Sequence, residues 1–253
     1  MSFSDLHRGG RALLLPNAWD VASAMTFVDA GYEAVGTTSL GVAASQGVHD
    51  ASRVGRERTR ELAQALRALP CYLSVDIEDG FDDDPERVAT YVADLDVDGI
   101  NLEDSTCGAL VSVSTQCAKI DAVRKRNITT FINARVDTFW LGKSADLAST
   151  LDRARAYSDA GADGVFVPGK LQGDQIATLA AELNVPLNVL PQPGLTLDEL
   201  SAMGVRRVSS GSLPFRAALA ASLASLELVR EGSVPPAVSY TEVQKMSDTY
   251  AGW

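Results

Sequence analysis

The chain has 253 residues, 46% of them apolar, and a formal net charge of −11. That length suits one large α/β domain able to bury a sizeable core. The acidic balance argues against a nucleic-acid partner or an anionic membrane surface, and no apolar stretch approaches membrane-spanning length. Three cysteines, Cys71, Cys107 and Cys117, are too irregularly spaced for a disulfide framework or a CxxC metal site, which points to a reducing, cytoplasmic setting.

In chain order, the first expected strand covers 12–16 and leads to a helix near 19–30 that closes on Ala30-Gly31. Glycine there accepts the left-handed conformation that ends a helix. The second strand, 33–38, finishes in Thr37-Thr38-Ser39. These hydroxyls either cradle a substrate carboxylate together with nearby N–H groups or are simply good strand residues. A loop of small residues from Gly41 to Gly47 then reaches Val48-His49-Asp50. Asp50 either faces a metal or caps the next helix, near 53–69. Neither histidine is assigned as a base; His49 is the better placed, since His7 lies in a terminus expected to fray.

The third strand, 71–76, runs on through Asp76-Ile77-Glu78-Asp79-Gly80. Asp76 and Glu78 are two apart, so an extended chain turns both to one side. They are candidate Mg²⁺ ligands, direct or through water, or else the start of a solvated acidic loop with Asp79, Asp82, Asp83 and Asp84. Gly80-Phe81 suggests a tight turn. Asp84-Pro85-Glu86, with proline at the first helical position, starts a helix over 84–94.

The fourth strand, 98–103, ends in Glu103-Asp104, where Glu103 either orients metal-bound water or caps the following loop. Cys107-Gly108 sits in that loop, ahead of a helix near 114–125. The fifth strand, 129–134, leads directly to Arg135-Val136-Asp137. Arginine at a strand end suits bidentate binding of a carboxylate or phosphonate and equally an ion pair with Glu103; both can hold at once. A helix near 145–160 closing on Gly161, a strand at 163–167, a helix near 172–183 and a strand at 186–190 continue the pattern. A helix near 196–203 closing on Gly204, a strand at 206–210 and a helix near 214–229 complete it. The Val/Ile/Phe-rich strand runs read as apolar on both faces. Gly232 to Trp253, with Pro235-Pro236, reads as a tail free to pack on a neighbouring subunit.

Eight β/α units of roughly 30 residues fit a (β/α)₈ barrel. It would be one domain over 1–253, with its core at about 10–230 and a tail over 231–253. A doubly wound open sheet is the alternative, but no GxGxxG follows the first strand. In a barrel, acids at successive strand ends face one rim and build an oxygen-rich pocket for a hard cation such as Mg²⁺, beside which Arg135 can hold an anion. No Gly-x-Ser-x-Gly elbow or Walker loop is present.

Taken in order, Leu15-Pro16-Asn17-Ala18-Trp19-Asp20, Thr37 through Ser45, Val75 through Phe81, Ile100 through Asp104, Asn133 through Asp137, Ala160 through Gly164 and Leu213 through Ala217 resemble the phosphoenolpyruvate mutase/isocitrate lyase superfamily over about residues 10–230. The resemblance implies a (β/α)₈ barrel, often tetrameric, with the last helix exchanged between subunits. It implies Mg²⁺ near Asp76 and Glu78, Asp50 and Glu103 around it, and substrate contacts from Thr38, Ser39 and Arg135. The implied partner is a small 2-oxo acid, acted on by a lyase or hydrolase that breaks a C–C or C–P bond.

Departures from the superfamily pattern narrow this. Isocitrate and methylisocitrate lyases carry a Lys-Lys/Arg-Cys-Gly-His loop after the strand-four acid; here the loop is Ser105-Thr106-Cys107-Gly108-Ala109-Leu110-Val111. The mutases carry a tryptophan where this chain has Gly36 and a histidine where it has Pro168. Those two activities are therefore not expected. The remaining alternative to an enzyme is a catalytically weak sensor of 2-oxo acids on the same barrel.

Overall fold

The computed structural model describes residues 1–252. Strand β1 is Leu13–Leu15 continued by Asn17–Ala18; β2 is Ala34–Thr37, β3 Tyr72–Asp76, β4 Gly99–Glu103, β5 Phe131–Arg135, β6 Gly164–Val167, β7 Leu187–Val189 and β8 Arg207–Ser209. All pair in parallel, each with its neighbour in sequence. The first strand closes the ring. Its Leu13–Leu15 half pairs with β8 and its Asn17–Ala18 half with β2. Proline has no N–H to give to a ladder, and the change of partner falls at Pro16. There the Ser210 N–H donates to the Leu15 carbonyl at 2.9 Å, and the Gly36 N–H to the Pro16 carbonyl at 2.8 Å. The fold is therefore a (β/α)₈ barrel rather than an open sheet.

Eight helices alternate with the strands: α1 Val21–Asp29, α2 Arg56–Leu66, α3 Pro85–Leu95, α4 Val113–Arg126, α5 Leu147–Asp159, α6 Gly173–Glu182, α7 Leu197–Ala202 and α8 Leu213–Arg230. Asp84 caps α3 as expected, accepting the Glu86 N–H at 2.9 Å with Pro85 in the first turn. Rim loops add the short helices Ser39–Ser45 and Thr138–Leu141 and a hairpin pairing Ser105–Thr106 with Ala109–Leu110.

The strands are not apolar on both faces. Leu73, Val75, Ile100, Leu102, Ile132, Ala134 and Val165 belong to the core shared with helix residues such as Leu66, Val88, Ile120 and Ile176. The alternate positions, Ser74, Asn101, Asn133, Asn188, Arg207 and Ser209, are polar yet buried and hydrogen-bond among themselves inside the ring. Period-two alternation thus survives inside the barrel, because the interior satisfies its polar groups across strands.

Two terminal segments differ from expectation. Residues Phe3–His7 form a one-turn 3₁₀ helix that plugs the closed end, started by a reciprocal cap between Ser2 and Asp5. His7 does not fray: it is 2% exposed and stacks on Phe131 at 4.3 Å, with its Nδ1 3.0 Å from the Phe3 carbonyl. Gly99 makes room for this plug, since a Cβ there would meet the Phe3 ring at 2.6 Å. At the other terminus, part of the expected tail is helical. Helix α9, Tyr240–Ala251, starts at a Ser239/Glu242 capping box and returns to the barrel, where the Tyr250 hydroxyl donates to the Ala65 carbonyl at 2.8 Å. Helix α8 buries only Phe215 and leaves Leu219, Leu223 and Leu226 exposed along its length.

Candidate active site

A cavity of about 420 Å³ opens at the C-terminal ends of the strands, the end at which (β/α)₈ enzymes work. Asn17, Thr38, Ser39, Asp50, Asp76, Asn101, Arg135, Trp140, Phe166 and Arg216 are among its walls. A larger groove of about 570 Å³ between α1 and α9 is apolar in character, lined by Met25, Phe27, Pro214, Val243 and Met246. The smaller cavity is the candidate site, because the convergent charged groups are there.

Asp76 ends β3 and faces the cavity. Its N–H donates to Thr37 Oγ1 at 2.9 Å, and its carboxylate accepts from the Glu78 N–H at 3.2 Å and the Ser39 hydroxyl at 3.3 Å. Burial pushes its pKa up to about 6; the charge of Asp50 adds to this and that of Arg135 opposes it. Thr38 and Ser39 are buried in the cavity wall where β2 gives way to the short helix. Asp50 also faces the cavity. It does not cap α2, which starts only at Arg56, and its Oδ1 is buried without a hydrogen-bond partner.

Glu78 takes another direction. The strand stops at Asp76, and Glu78 adopts φ +49°, so the extended two-residue repeat no longer holds. Its Oε2 accepts the Arg53 N–H at 3.0 Å, beneath the loop that carries Asp50. Burial, with added repulsion from Asp76, Asp50 and Asp79, pushes its pKa up to about 7 against that hydrogen bond. Glu103 is buried behind the cavity wall, where burial and the charges of Asp76, Asp137 and Asp50 push its pKa upward against the pull of Arg135.

Arg135 is held from two sides. Its Nη1 donates to Glu103, and its Nε donates to Asp137 Oδ1 at 2.6 Å. Burial alone would weaken its charge, but Glu103, Asp137 and Asp76 outweigh burial and keep the guanidinium protonated. The rings of Trp140 and Phe166 lie 5.7 and 5.8 Å from its carbon. Asp137 is fixed in turn by the Ser105 hydroxyl at 2.5 Å and through its N–H by Asp104. Asp104 accepts from Arg153 and Tyr157, each at 2.8 Å. A guanidinium carries five N–H donors. Two are used here, so the others remain for a ligand.

Asp79 ties three rim loops together: Arg53 and Thr106 donate to its carboxylate, and the buried Lys119 donates to its carbonyl at 2.8 Å. Gly80, at φ +91°, makes the turn that permits this, and a Cβ there would strike Val88 at 2.7 Å. His49 and Cys107, in the rim loops, are exposed and do not line the cavity, and neither does the exposed Lys170.

The cavity edge suits a hard cation. Its donors are carboxylate and hydroxyl oxygens, one of them the orphaned Asp50 Oδ1, and their mutual repulsion is what a bound cation relieves. Among the described residues no three His, Cys, Asp or Glu side chains stand close enough to ligate one ion together. Mg²⁺ keeps several waters and takes one or two carboxylates, so such an edge fits it. Sequence reasoning missed Asn17, Trp140, Phe166 and Arg216 as cavity walls. Two of them carried a signal: Asn17 in the Leu15-to-Asp20 segment, and Arg216 in the Leu213-Pro214-Phe215-Arg216 segment at the start of α8, whose guanidinium is the charged group of the four. Arg216 has no carboxylate partner among the described residues and donates to Ser212 Oγ at 3.2 Å.

Comparison with known proteins gives consistent findings. A profile of the family described as phosphoenolpyruvate phosphomutase matches residues 3–230. An uncharacterized protein of Mycobacterium tuberculosis (strain H37Rv) is 49% identical over 245 residues, covering 96% of this chain and 95% of its own. A crystal structure from Burkholderia cenocepacia J2315, provisionally named a phosphonomutase, superposes with a TM-score of 0.84 at 38% identity, over 89% of this chain and 97% of that one. Phosphonopyruvate hydrolase, solved with oxalate and Mg²⁺, shares the fold with a TM-score of 0.85 at 23% identity, over 100% of this chain and 97% of that one.

Proposed function

This chain belongs to the phosphoenolpyruvate phosphomutase family, and from that premise we propose that it is a Mg²⁺-dependent lyase or hydrolase. Its substrate would be a small 2-oxo acid, oxaloacetate- or phosphonopyruvate-like, in which it breaks a C–C or C–P bond. The observation that carries the reading is Arg135, a largely enclosed cation pinned by Glu103 and Asp137 with donors left over, facing Asp76 across one cavity. The oxalate and Mg²⁺ bound by phosphonopyruvate hydrolase support the same ligand chemistry.

In this reading Asp76 holds the ion, with Glu78 and Asp50 completing the oxygen set directly or through water. Mg²⁺, when bound, supplies Lewis-acid polarisation of the 2-oxo acid's oxygens. Thr38 and Ser39 bind the carboxylate next to the oxo group. Arg135 binds and orients the carboxylate or phosphonate at the other end, and holding both ends fixes the scissile bond. Arg216 stands at the rim to meet a longer acid. Glu103, paired with Arg135, orients water beside it, while Trp140 and Phe166 exclude bulk solvent and strengthen the charge contacts.

The test is pyruvate release, with and without Mg²⁺, from oxaloacetate, phosphonopyruvate, 2-methylisocitrate and dimethylmalate. Mg²⁺-dependent release from one member, above its spontaneous decay, supports the reading and names the bond. A second reading, a sensor of 2-oxo acids, is favoured by one observation: the cavity walls include no His, Cys or Lys to carry a proton. Silence across the panel, with a ligand-dependent rise in Tm, would select it.

A homo-oligomer, dimer or tetramer, built on the exposed Leu219, Leu223 and Leu226 face of α8 belongs to the same proposal. Sedimentation of a Leu223→Glu variant as a smaller species than the wild type would support it. Three free cysteines fit a cytoplasmic setting. No helix among the described residues is long and apolar enough to cross a membrane.

A further inference from the structure

Arg207 lies on β8 inside the barrel, 1% exposed. Its Nε donates to Ser209 Oγ at 2.9 Å, and its Nη2 reaches across the ring to Asn101 Oδ1 at 3.2 Å and Ser74 Oγ at 3.4 Å. Its Nη1 is buried with no partner. The other deeply placed arginines, Arg135 and Arg153, each have a carboxylate within 2.8 Å. Arg207 has none among the described residues; its contacts are two serines and an asparagine. Leaving a buried cation without an ion-pair partner is a costly arrangement, and burial pushes its pKa down to about 9, with Asp76 opposing. It still carries its charge at neutral pH.

Position gives that charge a use. Two of its three contacts, Asn101 and Ser209, are walls of the cavity. Asn101 Oδ1 also accepts from Asn133 at 2.8 Å, so the guanidinium lies directly beneath a hydrogen-bonded polar floor. The cavity above is walled by two carboxylates, Asp50 and Asp76, in a chain of net charge −11. A buried cation with no ion-pair partner acts there across a short low-dielectric path, where salt screens it little.

We propose that Arg207 is a positioning residue that sets the anion affinity of the active-site cavity from below, through Asn101 and Ser209, without touching the ligand. The inference rests on the reading that the cavity binds 2-oxo acid anions. It makes a demand that a packing role does not. Removing a fixed charge weakens a dianion by the square of the factor by which it weakens a monoanion, since each ligand charge interacts with it separately.

Calorimetric titration of oxalate and pyruvate into the Mg²⁺-loaded full chain tests this for wild type, Arg207→Gln, Arg207→Met and Arg207→Lys. Glutamine keeps hydrogen-bonding capacity without charge, and it carries the test if methionine fails to fold. For either neutral variant that folds, we expect oxalate to bind about tenfold and pyruvate about threefold more weakly, a tenfold loss corresponding to about 1.4 kcal/mol. Arg207→Lys restores both to within about twofold, because the charge returns. Equal losses for both ligands, or losses unrelieved by lysine, would show a merely structural residue and overturn the proposal. No binding of either ligand to wild type would instead overturn the reading of the cavity, and this proposal with it.

Discussion

At the closed end of the barrel, three loops returning from helix to strand turn on glycine, Gly31, Gly161 and Gly204 at φ +86°, +109° and +97°, and one turns on Asp96 at φ +49°. At the open end, loops leaving the strands place Ala51, Arg53, Glu78, Phe81, Cys107 and Ser144 at φ between +48° and +62°. Such residues cost about 1–3 kcal/mol each when strained and persist only where their surroundings hold them. Around Arg53, Glu78, Phe81 and Cys107, the Arg53–Asp79–Thr106 contacts and Lys119 do that holding. The closed end is instead sealed by Phe3, His7 and Phe131 in aromatic contact. One end is built for stability and the other keeps strain and repulsive charge in reserve for a ligand.

Substitutions at the two ends should therefore separate turnover from stability. The largest effect is expected at the rim. Asp76→Asn removes a carboxylate whose ionised form burial disfavours, so Tm should hold or rise without ligand. Turnover should fall about 10³-fold, as for loss of a contribution of several kcal/mol. Steady-state kinetics beside a melting curve checks it; unchanged turnover would remove Asp76 from the chemistry.

Next in size is the closed end. Phe3→Ala should cost about 3–5 kcal/mol in stability while leaving kcat/KM per folded molecule as in wild type. Urea unfolding and active-site titration measure the two separately, and a matching loss of kcat/KM would erase the distinction between the ends.

The two ends should also answer pH with opposite sign. Burial first, and then Arg207, push the His7 pKa down to about 3. The unfolded chain thus binds the extra proton below its ordinary value of about 6.5. Stability from His7 is complete above that value and is lost as pH falls toward about 3. Asp76 and Glu78, raised to about 6 and 7, do the reverse: their stabilisation is present at low pH and lost as pH rises through those values. The His7→Phe variant should therefore gain about 2 kcal/mol relative to wild type between pH 7 and pH 5, read from urea midpoints. Parallel pH profiles for the two proteins would mean His7 titrates normally. The smallest effect is a control away from both ends' special chemistry: Asp84→Ala should cost about 1 kcal/mol through loss of the α3 cap and leave turnover untouched in the same assays.

Much of the architecture was legible locally. Apolar runs, helix-closing glycines and the Asp84-Pro85 start placed eight strands and eight helices, because each depends on residues within a turn or two. The same holds for the carboxylates at strand ends and the alternative of an Arg135–Glu103 ion pair, which the structure contains. The fraying expected at His7 fails because its burial depends on Phe131, far along the chain, with the Ser2/Asp5 cap as the local sign. The helix over 240–251 was overlooked behind Pro235-Pro236, although Ser239 and Glu242 form a capping box.

By itself the sequence determined the β/α order, the ring of acids at one set of strand ends and the family. Periodicity, turn chemistry and motif order are properties of neighbouring residues. Only the tertiary structure decided that Glu78 turns away under Arg53, that Asp50 keeps a buried oxygen free, that Arg216 and Trp140 reach the cavity, and that Arg207 lies unpaired beneath it. Those outcomes depend on which distant strands meet across a closed ring, and on how burial there raises or lowers the energy of each charge.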